Sequence, residues 1–281
     1  MSHGDGLIVK VSRHWTLPPR TYVINVFDGT EISGMKPRGL GDNPELSPDG
    51  EWIAFDTEYV DGLYQSQIYI ARLDNGKRIQ LTHHDMGSLS PTWSPDGSQI
   101  AYEASGKIYV LDVPCALTEK NCEFIPKLVA SGEYPNWAPD GEHLVYVEFG
   151  YGLVSDKVFV IGVDNLANPI NITPSGASAC SNPDWSRDEP KVVFSCDGNI
   201  YIVTMNDFAI SQVGNGGLPK WSPDGKRIVF VSAESDDLRK PLDMEGSIRS
   251  NAIYVMNVDG SDVERITPRS DERILWFTWF P

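Results

Sequence analysis

Apolar positions along this chain fall in short, turn-punctuated runs. One set reads Ile53-Ala54-Phe55, Ile100-Ala101-Tyr102, Leu144-Val145-Tyr146, Val192-Val193-Phe194 and Ile228-Val229-Phe230. Each is followed by an aromatic-centred run: Ile68-Tyr69-Ile70, Ile108-Tyr109-Val110, Val158-Phe159-Val160, Ile200-Tyr201-Ile202 and Ile253-Tyr254-Val255. Several units then close on an apolar-Thr pair, as at Leu81-Thr82, Ile172-Thr173 and Ile266-Thr267. β-Branched and aromatic residues in runs this short, bounded by Gly, Pro, Asp and Asn, are strand signals. No window carries helical periodicity, so the pattern predicts a nearly all-β chain.

A turn motif precedes each pair of runs. Leu46-Ser47-Pro48-Asp49-Gly50 recurs as Trp93-Ser94-Pro95-Asp96-Gly97, Trp137-Ala138-Pro139-Asp140-Gly141 and Trp221-Ser222-Pro223-Asp224-Gly225, with a worn copy at Trp185-Ser186-Arg187-Asp188-Glu189. The steps are 47, 44, 48 and 36 residues, and a period in the forties matches a four-stranded propeller blade. Pro presets φ, Asp can bond nearby backbone and Gly tolerates positive φ, so the motif is the hairpin between strands one and two. Aspartates that recur once per blade read as turn residues, not catalytic ones.

The two ends complete the pattern. Phe277-Thr278-Trp279-Phe280-Pro281 looks like strand one of a further unit. Asp5 to Val11 supplies the rest of that turn and strand two, while Tyr22-Val23-Ile24 and Glu31-Ile32 supply strands three and four. The expectation is a six-bladed β-propeller with four antiparallel strands per blade, closed by a blade shared between the termini, and forming a single domain over residues 1–281. Closure of this kind leaves no unpaired edge at the seam.

The Pro-x-Trp-Ser-Pro-Asp-Gly repeat, nearly whole at Pro91 to Gly97 and Pro219 to Gly225, resembles the TolB-type propellers and their PD40, WD40-like repeats. The resemblance runs the full length and implies the six-bladed fold. The family also carries an N-terminal α/β domain, of which this sequence has no trace. Related repeats occur beside peptidase domains as access filters or docking surfaces, and fold alone does not choose among such roles.

Composition adds limits. With 39 acidic against 23 basic residues among 281, the formal net charge is −16. Such a surface repels phosphate backbones, which argues against nucleic acid as a partner. No stretch has the length of a membrane span, and no signal peptide is evident as written.

The four cysteines form two local pairs. Cys180 and Cys196 are equidistant from the worn turn, which sets them opposite each other on a hairpin, where a disulfide can form. Cys115 and Cys122 lie in the strand three to four loop that follows Trp93, which a second bridge would staple. Two disulfides predict a periplasmic or secreted protein.

Chemistry is sparse. No nucleophile elbow, phosphate-binding loop, dinucleotide fingerprint or zinc-protease helix motif occurs, and the sequence calls for no cofactor and no metal. His83, His84 and Asp85 share an inter-blade loop, but neighbours on an extended segment point opposite ways. Binding fits better. The strand two to three and inter-blade loops hold the long insertions, with Arg13, Trp15 and Arg20 in the first, then Tyr59 and Tyr64, Tyr151, and Arg239 and Arg249. With His83 and His84 these are the expected binding residues, since Trp, Tyr and Arg anchor protein and peptide interfaces. The residues before each motif, Glu45, Thr92, Asn136, Asp184, Lys220 and Thr278, are all polar and predict a wet channel. The reading is a monomeric, non-catalytic propeller for a protein or peptide ligand. The alternatives are a carbohydrate lyase or hydrolase, or the accessory propeller of a peptidase-like assembly.

Overall fold

The computed structural model describes residues 6–12, 20–25, 42–57, 66–85, 87–118, 124–150, 155–233, 251–267 and 273–280. The chain is an all-β propeller with four antiparallel strands per blade. The first blade in chain order is β3 (Asp42–Leu46), β4 (Trp52–Asp56), β5 (Ile68–Arg72) and β6 (Arg78–Gln80). Next come β7 (Leu89–Trp93), β8 (Gln99–Ala104), β9 (Lys107–Asp112) and β10 (Lys127–Ser131), then β11 (Glu133–Trp137), β12 (His143–Glu148), β13 (Lys157–Gly162) and β14 (Ile170–Asn171). The last two are β15 (Cys180–Trp185), β16 (Lys191–Cys196), β17 (Asn199–Thr204) and β18 (Ala209–Asn215), and β19 (Gly217–Trp221), β20 (Arg227–Ala233), β21 (Asn251–Asn257) and β22 (Glu264–Arg265).

The termini meet as expected, in a sheet of β1 (Gly6–Ser12), β2 (Arg20–Asn25) and β23 (Arg273–Phe280), with Gly6 opposite Phe280 and Ile8 opposite Thr278. Six four-stranded blades were expected, whereas the described residues form five and a three-stranded terminal sheet. Glu31-Ile32, read as the fourth terminal strand, lies outside the described residues. The chain is nearly all β as expected, with one described α-turn, Pro114–Leu117, too short for any apolar period to reveal.

Cross-strand pairs explain why the repeated runs are strands. Phe55 faces Tyr69, Tyr102 faces Tyr109, Tyr146 faces Phe159, Phe194 faces Tyr201 and Phe230 faces Tyr254. Their ring centroids are 6.1, 5.7, 5.9, 6.2 and 5.7 Å apart, each pair stacked. Such facing aromatics stabilise a sheet by about 0.5–1.5 kcal/mol beyond the area they bury.

The cores lie between successive blades. Trp52, Ala54, Ile68 and Ile70 pack on Trp93, Ile100 and Tyr102 of the next blade. Ala101, Ile108 and Val110 pack on Trp137, Leu144 and Tyr146, and Val193, Ile200 and Ile202 on Trp221, Ile228 and Phe230. The cluster of Val229, Val231, Ile253 and Val255 includes Phe277 of β23. Neither face of a blade is buried without its neighbour, so the blades stabilise one another.

The first strand of each four-stranded blade is bulged at an X-Pro pair. Asn43, Ser90, Tyr134, Asn182 and Leu218 each precede a proline and have φ of 47, 52, 53, 51 and 52°. The register of all five strands shifts at these pairs. Proline is tolerated because the first strand is the inner edge of each blade, where its missing N–H breaks no ladder bond.

Candidate functional site

The turns at one end of the channel are closed by their own side chains. After Trp93, Ser94 Oγ donates to Asp96 Oδ1 at 2.6 Å, and Asp96 accepts the Ser98 amide at 3.0 Å. The Gln99 amide donates to Ser94 Oγ at 2.9 Å, while Gly97, at φ 70°, donates its amide to Ser94 O. The same Ser–Asp bond recurs at Ser47–Asp49 and Ser222–Asp224. The Ser94 hydroxyl, and then the Ser98 amide, hold the Asp96 carboxyl below its usual range, and the Ser222 hydroxyl does the same for Asp224. These aspartates are engaged in turn formation.

The wall of the channel is tied from blade to blade. Glu45 Oε1 accepts the Trp93 amide and the Thr92 hydroxyl, both at 3.3 Å. Asn136 Oδ1 accepts the Trp185 amide at 2.7 Å, and Asp184 Oδ2 the Trp221 amide at 2.8 Å. The indole N–H groups of Trp93 and Trp221 donate to Glu45 O and Asp184 O at 3.2 and 3.1 Å. Inner-edge N–H groups have no ladder partner, so polar side chains of the preceding blade satisfy them.

The channel opens into two cavities. The turn-side one is about 530 Å³ and is lined by Glu45, Asp184, Arg187 and Lys220 together with prolines and tryptophans. The loop-side one is about 110 Å³ and is walled by the X-Pro bulges with Tyr134, Leu218 and Phe277. Glu45, Thr92, Asn136 and Lys220 line both and form the waist. The expected ring of polar residues before each motif does line the channel, Thr278 and Asp184 included. Burial raises the pKa of Glu45, with the Lys220 and Arg187 charges opposing it. Lys220 Nζ lies 3.7 Å from Asp184 Oδ1.

Of the expected binding residues, Arg13, Trp15, Tyr59, Tyr64, Tyr151, Arg239 and Arg249 lie outside the described residues, and Arg20 opens β2. His83 is exposed. His84 is half-buried, its Nε2 2.9 Å from the Tyr102 hydroxyl and its ring 5.3 Å from that of Tyr109. Burial lowers its pKa, against the charge of Asp85. Gln67 anchors this segment, donating to His84 O at 2.7 Å and accepting from the His84 amide at 3.1 Å. His84 therefore ties an inter-blade linker to the next blade, and neither histidine lines either of these two cavities. Among the described residues, no group of three His, Cys, Asp or Glu side chains is placed to hold a metal ion. No described helix is long and apolar enough to cross a membrane.

Cys180 faces Cys196 in register and is bonded to it, Sγ–Sγ 2.08 Å. Cys115 is disulfide-bonded too, and Cys122 lies outside the described residues. Sequence reasoning passed over Arg187, although its break with the Pro of the other turns was a visible signal.

Comparison with known proteins agrees on the architecture. No family model matches the chain. TolB from Acinetobacter baumannii superposes with a TM-score of 0.74 at 18% identity, covering 100% of this chain and 68% of that one, a likeness of fold. The chain is 27% identical over 216 residues to the uncharacterized peptidase YuxL of Bacillus subtilis, covering 72% of this chain and 31% of that protein. It is 20% identical to dipeptidyl-peptidase 5 of Porphyromonas gingivalis, covering 84% of this chain and 42% of that protein. The chain thus spans about a third of the length of the curated relatives it matches. The fold is that of a TolB-like β-propeller.

Proposed function

We propose that the chain is a non-catalytic binding propeller that takes a protein or peptide partner on its loop-rich face, with the terminal sheet as a sixth blade of one domain. The observation that carries this reading is the loop-side mouth. Five X-Pro bulges wall a bowl of mixed polar and apolar lining around Tyr134, Leu218 and Phe277, and the Phe149 ring lies 6.3 Å from that of Tyr134. Arg13, Trp15, Arg20, Tyr59, Tyr64, Tyr151, Arg239 and Arg249 would furnish the surrounding rim, with His83 and His84 beside it. A preformed bowl ringed by Trp, Tyr and Arg suits an extended partner segment. The disulfide supports a periplasmic or secreted setting.

The test is capture of partners from an envelope fraction by the wild type and by a Trp15/Tyr64/Tyr151 triple alanine variant. Selective loss of a partner by the variant is expected, and equal recovery of every partner would refute the face. A second reading, the propeller module of a peptidase-like protein, is favoured by the likeness to YuxL and dipeptidyl-peptidase 5. Turnover of fluorogenic dipeptide substrates by the 281-residue chain itself would contradict the non-catalytic reading.

A further inference from the structure

The turn-side cavity breaks the symmetry of the repeat in one place. Four turns present Pro48, Pro95, Pro139 and Pro223 to it, and the fifth presents Arg187. Among the described residues, Arg187 has no carboxylate within ion-pair distance, and it is exposed. Glu45 stands in the cavity on a different blade. Its Oε1 is engaged by Thr92 and Trp93, and among the described residues no bond is made to Oε2. Among the described residues no ion pair joins Arg187 or Lys220 to Glu45, though their positive charges favour its ionised form. An incompletely paired carboxylate and a free guanidinium therefore share one cavity, too far apart to pair with each other. Prolines and the rings of Trp93, Trp137, Trp185, Trp221 and Trp279 supply the apolar surface between them.

Such a site wants a ligand that brings both missing charges on one body. We propose that the turn-side cavity binds a short peptide by its two ends, Glu45 taking the ammonium and Arg187 the carboxylate. The volume of about 530 Å³ lies within the range of small-ligand sites, roughly 300–1,000 Å³. The apolar walls accept side chains without demanding an identity, so length and free termini are the determinants. This site opens on the end of the channel opposite the loop-rich face.

Five tryptophans line the cavity, so occupancy reads directly as a change in their fluorescence. The intact 281-residue chain is titrated with trialanine, N-acetyl-trialanine and trialanine amide. Saturable binding of trialanine is expected, with either block weakening it roughly tenfold, the size of one lost hydrogen bond to a charged group. Glu45→Gln should abolish the difference between free and acetylated peptide, and Arg187→Ala the difference between acid and amide. The Trp15/Tyr64/Tyr151 variant should bind trialanine as the wild type does, which keeps this site separate from the loop-rich face. Equal affinity for all three peptides would overturn the proposal. So would no saturation by about 10 mM, or a cost of acetylation undiminished in Glu45→Gln.

Discussion

The hairpins β7–β8 and β15–β16 occupy equivalent places two blades apart, yet they are held together at opposite ends. In β7–β8 the turn carries the bonds: Ser94 to Asp96, Asp96 to the Ser98 amide, and Gln99 back to Ser94. At the far end of the hairpin, Glu103 Oε2 accepts the Tyr134 amide of the next blade at 2.9 Å. In β15–β16 the turn is worn. Arg187 replaces Pro, Glu189 replaces Gly, and the side-chain interactions that remain among the described residues are a bond from the Glu189 amide to Ser186 Oγ at 3.2 Å and a Lys191–Glu189 ion pair at 3.6 Å. There Ser195 bonds Ser181 within its own hairpin, and Cys180–Cys196 staples the far end. The lesson is one of exchange: a covalent tie stands where turn bonds are missing, and the freed turn position carries a charge into the channel.

If that is right, removing the staple has the largest effect. A Cys180→Ala/Cys196→Ala variant should lose about 3 kcal/mol, the constraint lost from a loop of this size. Urea unfolding without reductant measures it, and a loss below about 1 kcal/mol would mean that the worn turn needs no staple. Next is the pH dependence supplied by Glu103. Burial pushes its carboxyl up to about 7, the Tyr134 amide opposing and Glu133 and Asp56 adding to the shift. The folded chain then holds this proton more tightly than the unfolded chain. Its contribution is complete below about pH 4.5 and is lost as pH rises through about 7. Glu103→Gln should therefore remove on the order of 2 kcal/mol of the stability lost between about pH 5 and 8. An unchanged slope would show that Glu103 ionises freely.

The sequence shows one half of this comparison plainly. Ser-Pro-Asp-Gly is legible because its bonds join residues two to five positions apart, so the spacing is the structure. The Cys180–Cys196 pair is legible because antiparallel register fixes what faces what at equal distance from a turn. The bulges are not legible. Asn43, Ser90, Tyr134, Asn182 and Leu218 share no side-chain chemistry, and their positive φ is imposed by the strand geometry around the following proline. The cavity charges are hidden for another reason: Glu45, Arg187 and Lys220 come to line one cavity through the closing of a ring, which no local spacing records. The loop residues read as a binding rim rest on composition alone.

Smaller effects sharpen the contrast between the two turns. Asp96→Ala should cost about 1 kcal/mol, since it removes the bonds from Ser94 and Ser98. Its wild-type carboxyl is held low, so this stability is present above the usual carboxylate range and is lost as pH falls through the lowered value. Asp188→Ala, at the matching place in the worn turn, should change stability by less than about 0.5 kcal/mol. Thermal unfolding of both variants at neutral pH and in acid checks the pair, and equal costs would erase the distinction between the turns.

Both cavities require β23, which lends Thr278 and Trp279 to one and Phe277 to the other. Hydrogen exchange on the native chain tests that closure most directly. The amides of β23 paired with Gly6 to Ser12 should exchange as slowly as those of β16 and β20, through one global opening. Exchange of β23 at the rate of a frayed end, while the five four-stranded blades stay protected, would contradict the closed ring.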